Sequence, residues 1–468
     1  MLRKYKRFLT WMALSGLLLA AAGCGNDEDA GAGNSGNDDV DNGADENVSD
    51  GDGNDNDNDN GDGEGAAGDE EVQLEIFSWR SGDTEEFDAI IAEFNQEHPN
   101  IRVNFDPTTA PEYDSALNTQ LSTGTGADIF FVRPFALGEN IYDAGHLEVV
   151  TDDDIPNMSS VEDIQRDIYT SSETGELYAV PFNYVSYGFL YNKTMFEDNG
   201  WEEPETWDDF YSLLDEISDS GVTPLALGTA DGWVIDEIVA SGFYPSFVGG
   251  EPWRENLLVG ENRLTDPEYV EFLENIAQWG DYMPSNFEGI GYVDALQMFM
   301  AENAAIWVTG SWALTDLDQD EIAFDIDMFQ SPVQNAGDQR WVGFNGGAGL
   351  GINSDSEHIE EAKTFLNWLM AEDPQALVMN LLPGQFPTAD VPLDQIEDEV
   401  NLKWLEAGGA DGENYAVGLA FDVLNGGDPT LGTLQMENVT DLLEGHITAE
   451  EAAENMDAGL SNWYEPFQ

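Results

Sequence analysis

Trp79, Trp233 and Trp312 fall in or beside predicted loops, flanked by Gly, Ser, Arg or Asp. Arg80 and Arg133 each follow a predicted strand, and Asp231 stands two residues before Trp233. Flat rings stack on apolar surfaces, while guanidinium and carboxylate groups donate to and accept from hydroxyls. A sugar offers both partners, apolar C–H faces and a rim of hydroxyls, and a quaternary ammonium such as glycine betaine fits a cage of the same rings, so these residue types suit a pocket for either. The arginines have a second reading, in which each neutralises a neighbouring acid. Other tryptophans read as core: Trp207 and Trp368 lie on the apolar stripes of amphipathic helices.

Other chemistries find less support. The four histidines, His98, His146, His358 and His446, are scattered without the spacing of zinc ligands. Gly346-Gly347-Ala348-Gly349-Leu350-Gly351 lacks the lysine of a phosphate loop and does not open a βαβ unit. No Gly-x-Ser-x-Gly elbow is present, and the single cysteine, Cys24, excludes an intrachain disulfide. A secreted glycosidase stays as the enzyme alternative, because it needs only two carboxylates about 5 to 10 Å apart.

These side chains need a scaffold, and the periodicities supply one. Val72 to Ile76 alternate apolar and polar as a strand does, with Phe77-Ser78-Trp79-Arg80 as the exit loop. Asp83 or Thr84 caps a helix carrying Phe87, Ile90, Ile91 and Phe94, which stops at His98-Pro99-Asn100. Ile101, Val103 and Phe105 alternate again, a helix covers Tyr113 to Leu121, and Ile129 to Val132 read as a buried parallel strand. Thr206 caps a helix ending at Gly221, and Ala362, Phe365, Leu366 and Leu369 line another. The fold class is α/β, in which ligands bind beyond the carboxyl ends of strands. That rule directs attention to residues 78–80 and 133–135.

The chain has 468 residues, with 95 Asp plus Glu against 14 Lys plus Arg, for a formal net charge of −81. Such a surface repels phosphate backbones, so nucleic-acid binding is excluded as a reading. With 41% hydrophobic and 11% aromatic residues, the chain nevertheless has a core to fold around. Residues 71–468 alone hold 78 acidic and 10 basic side chains, a halophilic balance that suits concentrated salt, where screening is short-ranged. Before them, Arg3, Lys4, Lys6 and Arg7 precede an apolar stretch from Phe8 to Ala22, the pattern of a secretory signal peptide at 1–23. Residues 24–70, mostly Gly, Asn and Asp, have no apolar periodicity and read as a disordered tether. The Asp and Asn run from Asp55 to Asn60 fails as a calcium loop, since Asn60 stands where glycine is needed and Ala66 where the bidentate glutamate is needed.

Ala21-Ala22-Gly23-Cys24 resembles the lipobox of bacterial lipoproteins, with Ala21 where leucine is usual. Acylation of Cys24 and anchoring to the cell membrane, outside the cytoplasm, follow from that resemblance. Further motifs resemble those of the family 1 extracellular solute-binding proteins, the sugar-binding lipoproteins of ABC importers related to maltose-binding protein. They run in order from Trp79 and Gly124-Thr125-Gly126-Ala127-Asp128 to Leu177-Tyr178-Ala179-Val180-Pro181 and Leu190-Tyr191-Asn192-Lys193. Pro204-Glu205-Thr206-Trp207, Met300 to Ile306, Gly310-Ser311-Trp312 and Gly346 to Ile352 complete the series.

The resemblance implies a two-lobed periplasmic-binding-protein-like fold of type II, with a ligand cleft between lobes joined by crossing hinge segments. Lobe 1 would comprise residues 71–184 and 345–390, and lobe 2 residues 185–344 with most of 391–468. Crossings are expected near Asn183 to Ser186, near Phe344 to Ala348, and past Pro387. Trp79, Trp312 and Asp128 match family positions, Asp128 having the alternative role of a turn or capping residue. Tyr184 at the first crossing either stacks on ligand or wedges the hinge, and Asn183 and Gly346 join the expected contacts. The implied function is capture of a sugar or oligosaccharide, by a monomer without cofactor or metal, for the permease subunits of an ABC transporter. Glycine betaine, held in an aromatic cage of the same tryptophans, is the alternative ligand.

Overall fold

The computed structural model describes residues 71–317, 322–407, 414–419 and 423–468. The expectations placed on residues 1–70, among them the signal peptide, Cys24 and the tether, lie outside the described residues. Among the described residues no helix is long and apolar enough to cross a membrane.

The first elements form where the periodicities put them. Strands β1 (Val72–Ser78) and β2 (Ile101–Pro107) pair in parallel along their full lengths, from Val72 opposite Ile101 to Ser78 opposite Pro107. The helix between them, Thr84–Glu97, buries Phe87, Ile90, Ile91 and Phe94, one stripe of a 3.6-residue period. β1 runs two residues beyond its alternating segment, so its exit begins at Trp79 rather than Phe77. Asp83 precedes the helix but makes no capping hydrogen bond; it pairs with Arg80 instead. A second helix, Ala110–Thr123, ends at Gly124, whose φ of 67° lies in the left-handed region that glycine tolerates. β3 (Ile129–Val132), buried at all four residues, lies parallel to β1 on one side.

The remaining strands are β4 (Val180–Asn192), β5 (Thr223–Ala226), β6 (Ala304–Gly310), β7 (Ile326–Phe329), β8 (Val342–Ile352), β9 (Phe386–Pro387) and β10 (Tyr415–Val417). The order along the main path is β2-β1-β3-β8-β4-β6-β5. β3, expected as a buried parallel strand, is parallel to β1 and meets β8 antiparallel on its other side. β4 joins the two halves: Val180 to Ser186 pair with β8, and Tyr187 to Asn192 pair with β6 and β7. β9 adds to β4 at Asn183 and Tyr184, and β10 to β8 at Val342 to Phe344. The boundaries drawn at 184/185 and 344/345 thus fall inside continuous strands.

Phe344 to Ala348, expected as the second crossing, and the glycines that follow lie within β8. A side chain at Gly347 would stand 2.5 Å from Asn183 Oδ1, so the glycine lets β8 lie close over that amide. In the second half of β4 and in β6, alternation divides the packing: Phe189, Tyr191, Ile306 and Val308 face one core, and Leu190 and Trp307 the other. The helix Trp207–Ser220 buries Trp207, Phe210, Leu213, Leu214 and Ile217 in the first of these cores. Thr206 and Asp209 close its capping box, and Gly221 ends it at φ 90°.

Candidate functional site

A cavity of about 480 Å³ opens beyond the carboxyl ends of β1 and β3. Its first wall is built on the exits of those strands. Trp79 leaves β1 and packs edge-on against Tyr113 (centroids 5.2 Å apart) and Phe131 (5.3 Å). The Arg133 guanidinium, just past β3, lies 4.4 Å over the Trp79 ring and is held by Asp114, with Nε 3.2 Å from Oδ1 and Nη2 3.4 Å from Oδ2. Arg80 pairs through Nε with the buried Asp83 carboxylate and lines the same space.

The floor comes from the joining strands. Val185 of β4 and Gly346, Gly347 and Ala348 of β8 line it, with Gln385 just before β9. Gln385 is buried; its Oε1 accepts from Asn183 Nδ2, while its Nε2 has no protein partner. The amide therefore holds an unsatisfied donor beside the floor of the cavity.

The second wall belongs to the far half. Trp233 immediately precedes a π-helical turn, Val234–Ala240, and keeps 37% of its surface exposed. Its ring lies 5.0 Å from Tyr292 and 6.3 Å from Trp312. Trp312 Nε1 donates to the Tyr292 hydroxyl at 2.8 Å, which donates to Asp316 at 2.8 Å, so both rings are fixed in orientation. Glu237, one turn past Trp233, accepts from the Tyr187 hydroxyl at 3.3 Å. Burial pushes Glu237 up to about 7, although the Tyr187 hydrogen bond and the Arg133 charge pull the other way. Burial likewise drives its neighbour Asp236 to about 8, reinforced by the Glu237 charge.

Six of the residues expected from sequence meet here: Trp79, Arg80, Arg133, Trp233, Trp312 and Gly346. Asp128 does not. It stands at the amino end of β3, where Oδ2 accepts from Glu75 N (2.9 Å) and Oδ1 from Ser356 Oγ (2.6 Å), tying β1 to the turn after β8. That is the turn-residue alternative, at the opposite end of the sheet from the cavity. Asp231 lies beside the site, and its Oδ2 accepts from Tyr292 N at 2.7 Å, holding the start of the helix Tyr292–Met300. Asn183 supports Gln385 from behind. Tyr184, its neighbour on β4, points to the other face, where its hydroxyl lies 3.3 Å from that of Tyr415 beside a separate cavity of about 340 Å³. Tyr184 is therefore not among the residues that line the cavity of Trp79 and Trp233.

Glu237, Val185, Gly347, Ala348 and Gln385 were missed. Glu237 had a signal, four residues beyond Trp233 on one helical face. Gln385 had none, because its position depends on Asn183, 202 residues away. Another concavity, about 710 Å³, lies at the amino ends of β1 and β2 beside His358 and is lined by no tryptophan, tyrosine or phenylalanine side chain. His446 comes within 3.5 Å of Asp441 and 3.3 Å of Glu444, all near the surface.

Comparison with known proteins matches residues 80–376 to the model described as bacterial extracellular solute-binding protein. The multiple sugar-binding protein of Streptococcus mutans serotype c is 26% identical over 313 residues, covering 64% of this chain and 71% of that protein. A structure from work on xylan utilisation by Caldanaerobius polysaccharolyticus superposes with a TM-score of 0.69 at 17% identity, over 82% of this chain and 99% of that one. The GacH receptor of Streptomyces glaucescens, solved unliganded and with acarbose, gives 0.66 at 18% identity, over 84% and 98%.

Proposed function

This chain belongs to the bacterial extracellular solute-binding proteins, and on that premise we propose that its cavity captures a sugar or oligosaccharide for an ABC transporter. The protein is a binder and not an enzyme, and it works outside the cytoplasm. The reading is carried by one observation: tryptophans and hydrogen-bonding side chains from both halves of the sheet line a single cavity, beneath which β4 runs from one half to the other. Trp233 and Trp312 are its stacking platforms. Arg80, Arg133, Glu237 and Gln385 engage the hydroxyls, with Asn183 holding Gln385 in orientation.

Ligand contacts to both walls favour the closed arrangement, because a ligand shifts an equilibrium only through its differential contacts with the two states. Titration calorimetry with a panel of neutral oligosaccharides, with glycine betaine as comparator, tests the function. Binding of a saccharide, unchanged on release and accompanied by a change in tryptophan fluorescence, is expected. Betaine binding without any saccharide binding would replace the ligand class, and release of reducing ends would make the protein an enzyme.

Cys24 is the lipid attachment point in this reading, with residues 25–70 as the spacer from membrane to folded region and the permease subunits as partners. The chain with Cys24→Ser should leave the membrane fraction. Its full retention there would remove the anchor from the account.

A further inference from the structure

Residues 71–468 contain ten basic side chains against 78 acidic ones, and two of the ten, Arg80 and Arg133, line the one cavity just described. A single carboxylate, Glu237, lines it with them. Each arginine is paired with an acid behind the lining, Asp83 or Asp114, so the cavity stands out not by net charge but by the donor nitrogens these pairs leave over.

The hydrogen-bonding groups of the lining side chains tilt toward donors. Asp83 takes only Nε of Arg80, and Asp114 takes Nε and Nη2 of Arg133. Both terminal nitrogens of Arg80 and Nη1 of Arg133 have no acceptor among the described residues. Gln385 Nε2 adds a fourth donor nitrogen, buried and unpartnered, because Asn183 occupies the amide oxygen. Among the lining side chains the one carboxylate acceptor is Glu237, with Oε1 already taken by Tyr187, and behind the floor Asn183 Oδ1 is a further buried acceptor without a donor.

Hydroxyls both donate and accept, so a neutral sugar is best matched by a wall that does both. A carboxylate only accepts, and its planar pair of oxygens fits the guanidinium fork. Burying donors without acceptors is costly, and a carboxylate removes that cost at several nitrogens together. The acidity of the rest of the surface opposes an anion at long range, but in about 1 M salt the Debye length is about 3 Å, too short for that field to reach across the cavity.

Resting on the sugar-binding reading above, we propose that the ligand is an acidic saccharide. Its carboxylate, as in a hexuronate unit, is received by Arg80, Arg133 and the Gln385 amide, while its rings lie against Trp233 and Trp312.

The test is calorimetry of the full chain in detergent and 1 M sodium chloride. The probes are trisaccharides of galacturonate, glucuronate, mannuronate and guluronate, each paired with its carboxyl-reduced neutral counterpart. At least one uronate should bind tenfold or more tightly than its reduced partner. Arg133→Met, which keeps an apolar cover on Trp79, should bring that ratio close to one, and Gln385→Met should lower it without touching the Trp79 stack. A reduced partner that binds as well as its uronate, or variants that weaken both equally, would overturn the proposal and leave sugar binding intact. Failure of every saccharide, charged or neutral, would overturn both.

Discussion

The two walls of the cavity use the same residue type in different ways. Trp79 leaves a strand, is flanked by the edges of Tyr113 and Phe131, and carries the Arg133 guanidinium on its ring. Trp233 starts a helical turn, leans on Tyr292 and Trp312 from one side, and leaves more than a third of its surface open. A ring at a strand exit stays within reach of the side chains of the neighbouring strand, so it extends the core and serves as the bed for a cation. A ring at the head of a helix projects past its own element and remains available. In the proposed reading Trp79 would serve the ligand through Arg133, whereas Trp233 would meet it directly.

The contrast breaks most visibly in stability. Trp79→Ala removes a packed ring and the seat of Arg133, and denaturant unfolding should show a loss of about 3 kcal/mol, the low end for a large aromatic cut to alanine. If stability holds and only affinity falls, Trp79 is an open platform after all. Trp233→Ala should behave in the opposite way. Calorimetry should record an affinity loss of about 2 kcal/mol, roughly thirtyfold, with unfolding changed by less than about 0.5 kcal/mol. Comparable losses from both variants in both measurements would abolish the distinction.

The smallest effect concerns the acids behind the second wall. Glu237 and Asp236 hold their protons in the fold up to about 7 and about 8, whereas their ordinary values are 4.5 and 3.8. For an acid with a raised folded value, the native state binds more protons than the unfolded chain between the two values. Stability is thus greatest below the ordinary value and declines as pH rises through the folded one. The Tm should fall between pH 5 and pH 8, and Glu237→Gln should flatten that slope by about 1 to 2 kcal/mol across the range. A Tm that rises over this interval would show that these acids are better solvated than the packing around them indicates.

Much of this architecture was legible because it is local. The helix over Thr84–Glu97 followed from four apolar residues at helical spacing, and the helix over Trp207–Ser220 from its Thr206 cap and Gly221 stop. Trp79, Arg80 and Arg133 were found by one rule, that the loops after parallel strands face the crevice. Asp128 shows where motif matching misleads: it belongs to the start of β3, so the same rule places it at the far end of the sheet. Tyr184 and Asn183 show the other gap. Adjacent residues on a strand face opposite ways, and which of them faced the cavity was settled only by the neighbours of β4.

The sequence by itself determined the α/β class, the family, and the strand-exit wall of the site, since each rests on residues within a few positions of one another. The tertiary structure alone decided the floor and the polarity of the pocket. Asn183 meets Gln385 across 202 residues, Tyr187 meets Glu237 across 50, and Gly347 carries no side chain over the Asn183 amide. Contacts of that span leave no periodicity in the chain, because the register of β4, β8 and β9 and the packing of the turn Val234–Ala240 on β4 set them, not the residues on either side.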